Sequence, residues 1–133
     1  MLDDSKAYSG FAVDDPEKAK EFYGETLGLK VTTLDRGQQL IELHLGGDRP
    51  VLIYMKPDYT PATYTILNFP VEDVEKTVDE LTDRGVEFER YEGFDQDEKG
   101  IAAGGEGRGP TIAWFRDPAG NILAVHEADP SAG

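Results

Sequence analysis

The chain repeats itself, and that repeat constrains the fold more than any other feature of the sequence. Phe11-Ala12-Val13-Asp14-Asp15-Pro16-Glu17-Lys18 aligns without a gap on Phe69-Pro70-Val71-Glu72-Asp73-Val74-Glu75-Lys76, and five of the eight pairs are identical. Removing one residue carries the alignment on to Gly28 and Gly85. Two copies of one segment fold into two copies of one supersecondary unit, and each copy then has the same apolar face to bury.

The first copy opens with alternation. Residues 7–13 read as a strand with Ser9, Phe11 and Val13 on one face and Tyr8, Gly10 and Ala12 on the other. Asp15 is placed to cap a helix. Pro16 suits its first turn, where a missing N–H costs nothing, and Glu17 sets negative charge at the positive helix end. The spacing of Ala19, Phe22, Tyr23 and Leu27 predicts a helix over about 16–26 that covers a sheet, closed by Gly28 in a left-handed cap. Extended segments are expected at 30–34, 39–45 and 51–56, separated by turn-rich stretches.

The same order returns in the second half: a strand at about 63–71, a helix at about 74–84 capped by Gly85, and strands at 86–91, 111–115 and 122–127. The expected architecture is α+β, a single domain over 1–133 made of two βαβββ modules. Repeat 1 spans about 6–57, a linker 58–62, repeat 2 about 63–128, and a short tail 129–133. One helix covers one face of each sheet, so the opposite faces are bare, and a partly closed, barrel-like cleft between them is expected.

Composition narrows the function classes. With 27 acidic and 13 basic side chains the formal net charge is -14, which repels phosphate backbones and anionic membrane surfaces, so neither nucleic acid nor membrane is an expected partner. There is no cysteine, which removes disulfides, thiolate nucleophiles and thiolate metal sites and suits a cytoplasmic location. Neither a secretory leader at Met1 to Lys6 nor an apolar run of membrane-spanning length is visible.

The duplicated order, Phe22-Tyr23 in the first helix, Leu27-Gly28-Leu29 after it, and Trp114-Phe115-Arg116-Asp117-Pro118-Ala119-Gly120-Asn121-Ile122 near the end together resemble the vicinal-oxygen-chelate superfamily, the glyoxalase, bleomycin-resistance and extradiol-dioxygenase group. The resemblance implies a metal held by two histidines and a carboxylate in metal-dependent members, leaving coordination positions open for two neighbouring substrate oxygens. Carried onto this chain, the histidine positions fall at Tyr8 and Ile66 and the last-strand carboxylate at Ala124. Ile53 or Met55 holds the inward register of the first half's last strand. None of these is an ordinary metal ligand apart from Tyr8 as a phenolate, so no cofactor is expected, a divalent metal being the alternative.

Other constellations are weaker. His44, with Glu42 at same-face spacing, reads as a solvent-facing strand residue, and His126 beside Glu127 shares the face of Ala124 at the rim of the cleft. A displaced site using both histidines and a carboxylate is the metal-dependent alternative. Asp95 to Glu106 mimics a calcium loop, but Lys99 occupies a ligand position and no helix flanks it, so a solvated acidic loop is expected. The segment 92–109 is long for a connection; it reads either as a plain flexible link or as a lid, with Phe94 and Ile101 for apolar contact and Gly104, Gly105 and Gly107 for freedom. No phosphate loop or nucleophile elbow is visible.

The ligand-contacting residues expected on this reading are Tyr8, Gly10, Tyr54, Ile66, Asn68, Trp114, Ala124 and His126, an aromatic, largely apolar set with a few polar anchors. The expected function is metal-independent binding of a small aromatic or amphipathic molecule. The alternatives are a lyase, isomerase or dioxygenase that uses a relocated metal or Tyr8 and His126 as acid and base, and a module whose bare sheet face serves assembly. The resemblance also implies a homodimer.

Overall fold

A computed structural model describes residues 1–35, 39–104 and 110–128. The chain divides into two compact units, Met1–Pro61 and Ala62–Gly133. The tail 129–133 lies outside the described residues.

The first unit runs β1 (Ser9–Val13), α1 (Pro16–Glu21), a π turn (Phe22–Thr26), β2 (Lys30–Asp35), β3 (Gln39–Leu45) and β4 (Arg49–Met55). The sheet order is β1-β4-β3-β2, with β1 parallel to β4 and the other neighbours antiparallel. Alternation sorts the side chains: Phe11, Val13, Ile41, Leu43, Val51 and Ile53 are buried on one face, against Ala19 and Tyr23 of the helical segment. The helical segment reaches Thr26 as the spacing predicts, but from Phe22 onward it is π rather than α. Leu27 donates to the Phe22 carbonyl five residues back at 2.9 Å, a widened turn that accompanies the complete burial of the Tyr23 ring between Phe11 and Phe22. Strand β4 starts two residues earlier than expected, the turn before it being confined to residues 46–48.

The second unit runs β5 (Thr65–Val71), α2 (Val74–Asp83), β6 (Ile112–Arg116) and β7 (Ile122–Glu127), in the order β5-β7-β6 with β5 parallel to β7. Pro70, which has no N–H to give, sits on the edge strand β5. Val74, Val78 and Leu81, at helical spacing, bury one face of α2 alongside the sheet residues Phe115, Leu123 and Val125. The two caps repeat each other closely: Asp15 has φ -134° and ψ 100°, Asp73 φ -133° and ψ 101°, and each carboxylate accepts from a backbone N–H of its helix's first turn. Gly28 and Gly85 both hold positive φ, 75° and 94°.

The expected strand at 86–91 is a correction. Only Phe88 bridges to Phe115, and Glu89 N–H donates to the Trp114 carbonyl. The backbone groups that would extend the ladder are taken by a side chain: Gln96 Oε1 accepts from Tyr91 N–H at 2.8 Å, and its Nε2 donates to the carbonyls of Glu89 and Gly100. The fold class stands as mixed α+β with two small mixed sheets and one helical segment packed on each.

Candidate functional site

In each unit the helical segment covers one sheet face and leaves the other open. On the open face of the second unit, register places Asn68, Ala124 and Trp114 side by side across all three strands, with Pro70, His126 and Ile112 in the next row. Four of the expected site residues, Asn68, Trp114, Ala124 and His126, therefore share one face. Ile66 does not join a row; it sits at an irregularity of β5 between Thr65 and Leu67.

Two aromatic side chains outside the expected set complete this face. The Tyr91 ring meets Trp114 edge-on at 5.4 Å between centroids, and Phe94 meets Trp114 at 5.0 Å and Tyr91 at 6.4 Å. The Tyr91 hydroxyl is buried without a hydrogen-bond partner, and burial pushes it above the usual tyrosine range, so it stays protonated. Phe94 is 54% exposed. The parity of residues 89 and 91 carried the signal for Tyr91, since Glu89 on the same side reaches Arg116 at 2.6 Å. His126 Nδ1 lies 2.8 Å from the Glu127 carbonyl, which only accepts, so that nitrogen carries the hydrogen and Nε2 of the neutral ring is left as an acceptor.

The loop beyond Phe94 is tied down. Asp97 Oδ1 accepts from the N–H groups of Lys99 and Ile101, Ile101 is buried, and Lys99 Nζ reaches Glu75 at 2.9 Å and Asp79 at 3.0 Å on α2. Lys99 and Asp97 are thus committed to internal partners rather than to a calcium ion; Glu106, Gly105 and Gly107 lie outside the described residues.

The open face of the first unit carries Gly10, Leu52, Glu42 and Thr32 in one row, flanked by a row of Ala12, Tyr54, Leu40 and Leu34. A side chain at Gly10 would meet the Leu52 carbonyl oxygen at 3.2 Å, so glycine allows β1 and β4 to approach here. Tyr54 is 39% exposed, and Tyr8, ahead of the strand, is 66% exposed. His44 is not simply solvent-facing: its Nε2 lies 2.8 Å from Thr32 Oγ1 and 3.3 Å from the Glu42 carboxylate, and the imidazole is about two-thirds covered. Tyr8 and His44 belong to the first unit and His126 to the second. A groove of about 510 Å³ beside α1 lies on the helix-covered side, lined mainly by charged side chains such as Glu17, Lys20 and Glu25, and includes none of the expected residues.

A family model for the Glyoxalase/Bleomycin resistance protein/Dioxygenase superfamily matches residues 7–125. The chain belongs to this superfamily. A relative of this superfamily member in Bacillus subtilis (strain 168), the uncharacterized protein YraH, is 30% identical in a match that covers 86% of this chain and 91% of that protein. The crystal structure of a glyoxalase family protein from Enterococcus faecalis matches with a TM-score of 0.69 at 23% identity, over 96% of this chain and 100% of that one. TnmS3, an antibiotic binding protein from Streptomyces sp. CB03234, matches with a TM-score of 0.66 at 23% identity, over 92% and 96%. At these identities the two structures establish a common fold.

The positions that the family resemblance assigns to the metal ligands carry a phenol, a branched hydrocarbon and a methyl group. Tyr8 is exposed, Ile66 is a hydrocarbon beside a strand irregularity, and Ala124 is fully buried. Among the described residues no three His, Asp or Glu side chains are grouped to hold a metal ion. The residues present do not fit the group.

Proposed function

We propose that this glyoxalase-superfamily protein binds a small aromatic or amphipathic molecule on its open sheet faces, without the superfamily's usual metal triad. The row of Asn68, Ala124 and Trp114 carries the reading: where metal-dependent members are expected to present a carboxylate, this chain has a buried methyl group, flanked by a part-exposed indole and an exposed amide that are left to meet a ligand. Aromatic and apolar surface with a few convergent polar groups suits a drug-sized molecule better than a charged one. Tyr8, Gly10, Tyr54, Ile66 and His126 are proposed as further contacts. TnmS3 is an antibiotic binding protein, which is consistent with the same use of the fold. The assembly proposed is a homodimer, and light scattering should return twice the chain mass.

The test begins with metal analysis of protein purified without chelator and continues with thermal melts against a panel of aromatic compounds. The expected result is substoichiometric metal and a melting temperature that climbs with the concentration of at least one compound, because a ligand that binds only the folded state stabilises it. Stoichiometric iron, zinc, nickel or manganese that is lost in His44→Ala or His126→Ala would overturn the metal-free reading.

A further inference from the structure

We infer that Phe94 occupies, in the free protein, the place on Trp114 that a planar nitrogen heteroaromatic ring takes in the complex, and that the Tyr91 hydroxyl then donates a hydrogen bond to that ring's nitrogen. The inference rests on the reading that the open face of the second unit binds an aromatic molecule, and it adds the ligand class and a specificity-determining residue.

Three observations converge. The Tyr91 hydroxyl is buried with no partner, an arrangement that leaves a strong donor unmet inside the protein. It belongs to a ring packed edge-on against Trp114, so a second ring lying on Trp114 is brought close to Tyr91 as well. The ring now there, Phe94, is more than half exposed and can offer the hydroxyl nothing, having no acceptor.

Phe94 is also the one member of the trio that its backbone leaves loose. Its N–H reaches the Tyr91 carbonyl at 3.3 Å, at the long end for a hydrogen bond, and Gly93 before it turns at φ 87°. Two residues later Gln96 is fixed by three hydrogen bonds, to Tyr91, Glu89 and Gly100. Movement that releases Phe94 from Trp114 is therefore confined to residues 92–95, and the hydrogen-bonded anchors at Tyr91 and Gln96 on either side stay put. A net charge of -14 opposes an anionic ring, so the acceptor that fits is a neutral heteroatom lone pair.

The experiment is isothermal titration of wild type, Tyr91→Phe and Phe94→Ala with quinoline and with naphthalene, which share a shape and differ in one ring nitrogen. Wild type should bind quinoline about tenfold more tightly than naphthalene, the worth of one hydrogen bond of about 1.4 kcal/mol. Tyr91→Phe should erase that preference and leave naphthalene affinity unchanged, while Phe94→Ala should strengthen both probes. In the absence of probe, Tyr91→Phe should keep or raise the melting temperature, because the hydroxyl it removes has no partner to lose. A preference for quinoline that survives in Tyr91→Phe, equal wild-type affinities, or a clear drop in the melting temperature of free Tyr91→Phe would each overturn the inference while leaving aromatic binding intact. Wild type that takes up neither probe, nor any compound of the aromatic panel, overturns the underlying reading and the inference with it.

Discussion

Asp117 shows how one side chain can hold a turn together. It is buried at 4% exposure, and its Oδ1 accepts from the N–H groups of Ala119 and Asn121 at 3.0 and 2.8 Å while Oδ2 faces Asn121 Nδ2 at 3.1 Å. Replacement by alanine strands three donors, two of them on a buried asparagine, in a place that water reaches poorly. Asp117→Ala is expected to cost about 2–4 kcal/mol of unfolding free energy, read as a lower urea midpoint at unchanged slope. Exposed Asp58, whose carboxylate lies 2.7 Å from Lys56, should show no comparable loss on the same substitution. The Asp-Pro-x-Gly-Asn pattern was readable in the sequence because each of its residues does a local job: Gly120 supplies positive φ and Asp117 satisfies the backbone of its own turn.

At the level of elements, the least expected feature is the path between α2 and β6. Lys99 bridges Glu75 and Asp79, one turn apart on α2, and these two carboxylates hold its ammonium above the usual lysine range. A raised lysine value means the ammonium's share of the tie is complete below the unfolded value of 10.5 and is lost as pH climbs through the folded one, so neutral solution leaves it in place, while acid that protonates the two carboxylates removes it. Lys99→Met keeps the apolar stem and removes the charge. Amide exchange at Gly100 and Ile101 should quicken severalfold in that variant, with α2 unaffected; unchanged rates would show that Asp97 and Gln96 hold the loop by themselves. Strand alternation and helix caps were legible because they are local patterns repeated twice. The segment 86–91 was not, since its alternation is that of a strand and what stops the ladder is a side-chain amide from Gln96, a partner that periodicity does not reveal. The same limit explains the site. Ala124 comes from the motif spacing of the family resemblance and His126 from sharing its strand face, while the direction of Trp114 stays open in the sequence; Tyr91 and the Thr32–His44 contact depend on pairings between segments distant in sequence.

For the molecule as a whole, 27 carboxylates against 13 basic groups make self-repulsion the main charge effect. Folding brings those charges closer together, and added salt screens them over a distance that shrinks from roughly 14 Å to 4 Å between about 0.05 and 0.5 M. The melting temperature is expected to rise over that range in sodium chloride; a fall would mean that the pairs at Lys99 and Arg116 outweigh the general repulsion. Among the described residues no helix is long and apolar enough to cross a membrane.

The position of Trp114 has one more consequence. The chain contains a single tryptophan, and that residue is the centre of the aromatic trio. Its ultraviolet emission is thus a gauge of one location, uncontaminated by indoles elsewhere, and the neighbouring Tyr91 ring lies close enough to pass excitation to it. Whatever molecule settles on this face, or whatever displaces Phe94 from it, changes the colour and brightness of that one fluorophore, so the protein can be screened without a label.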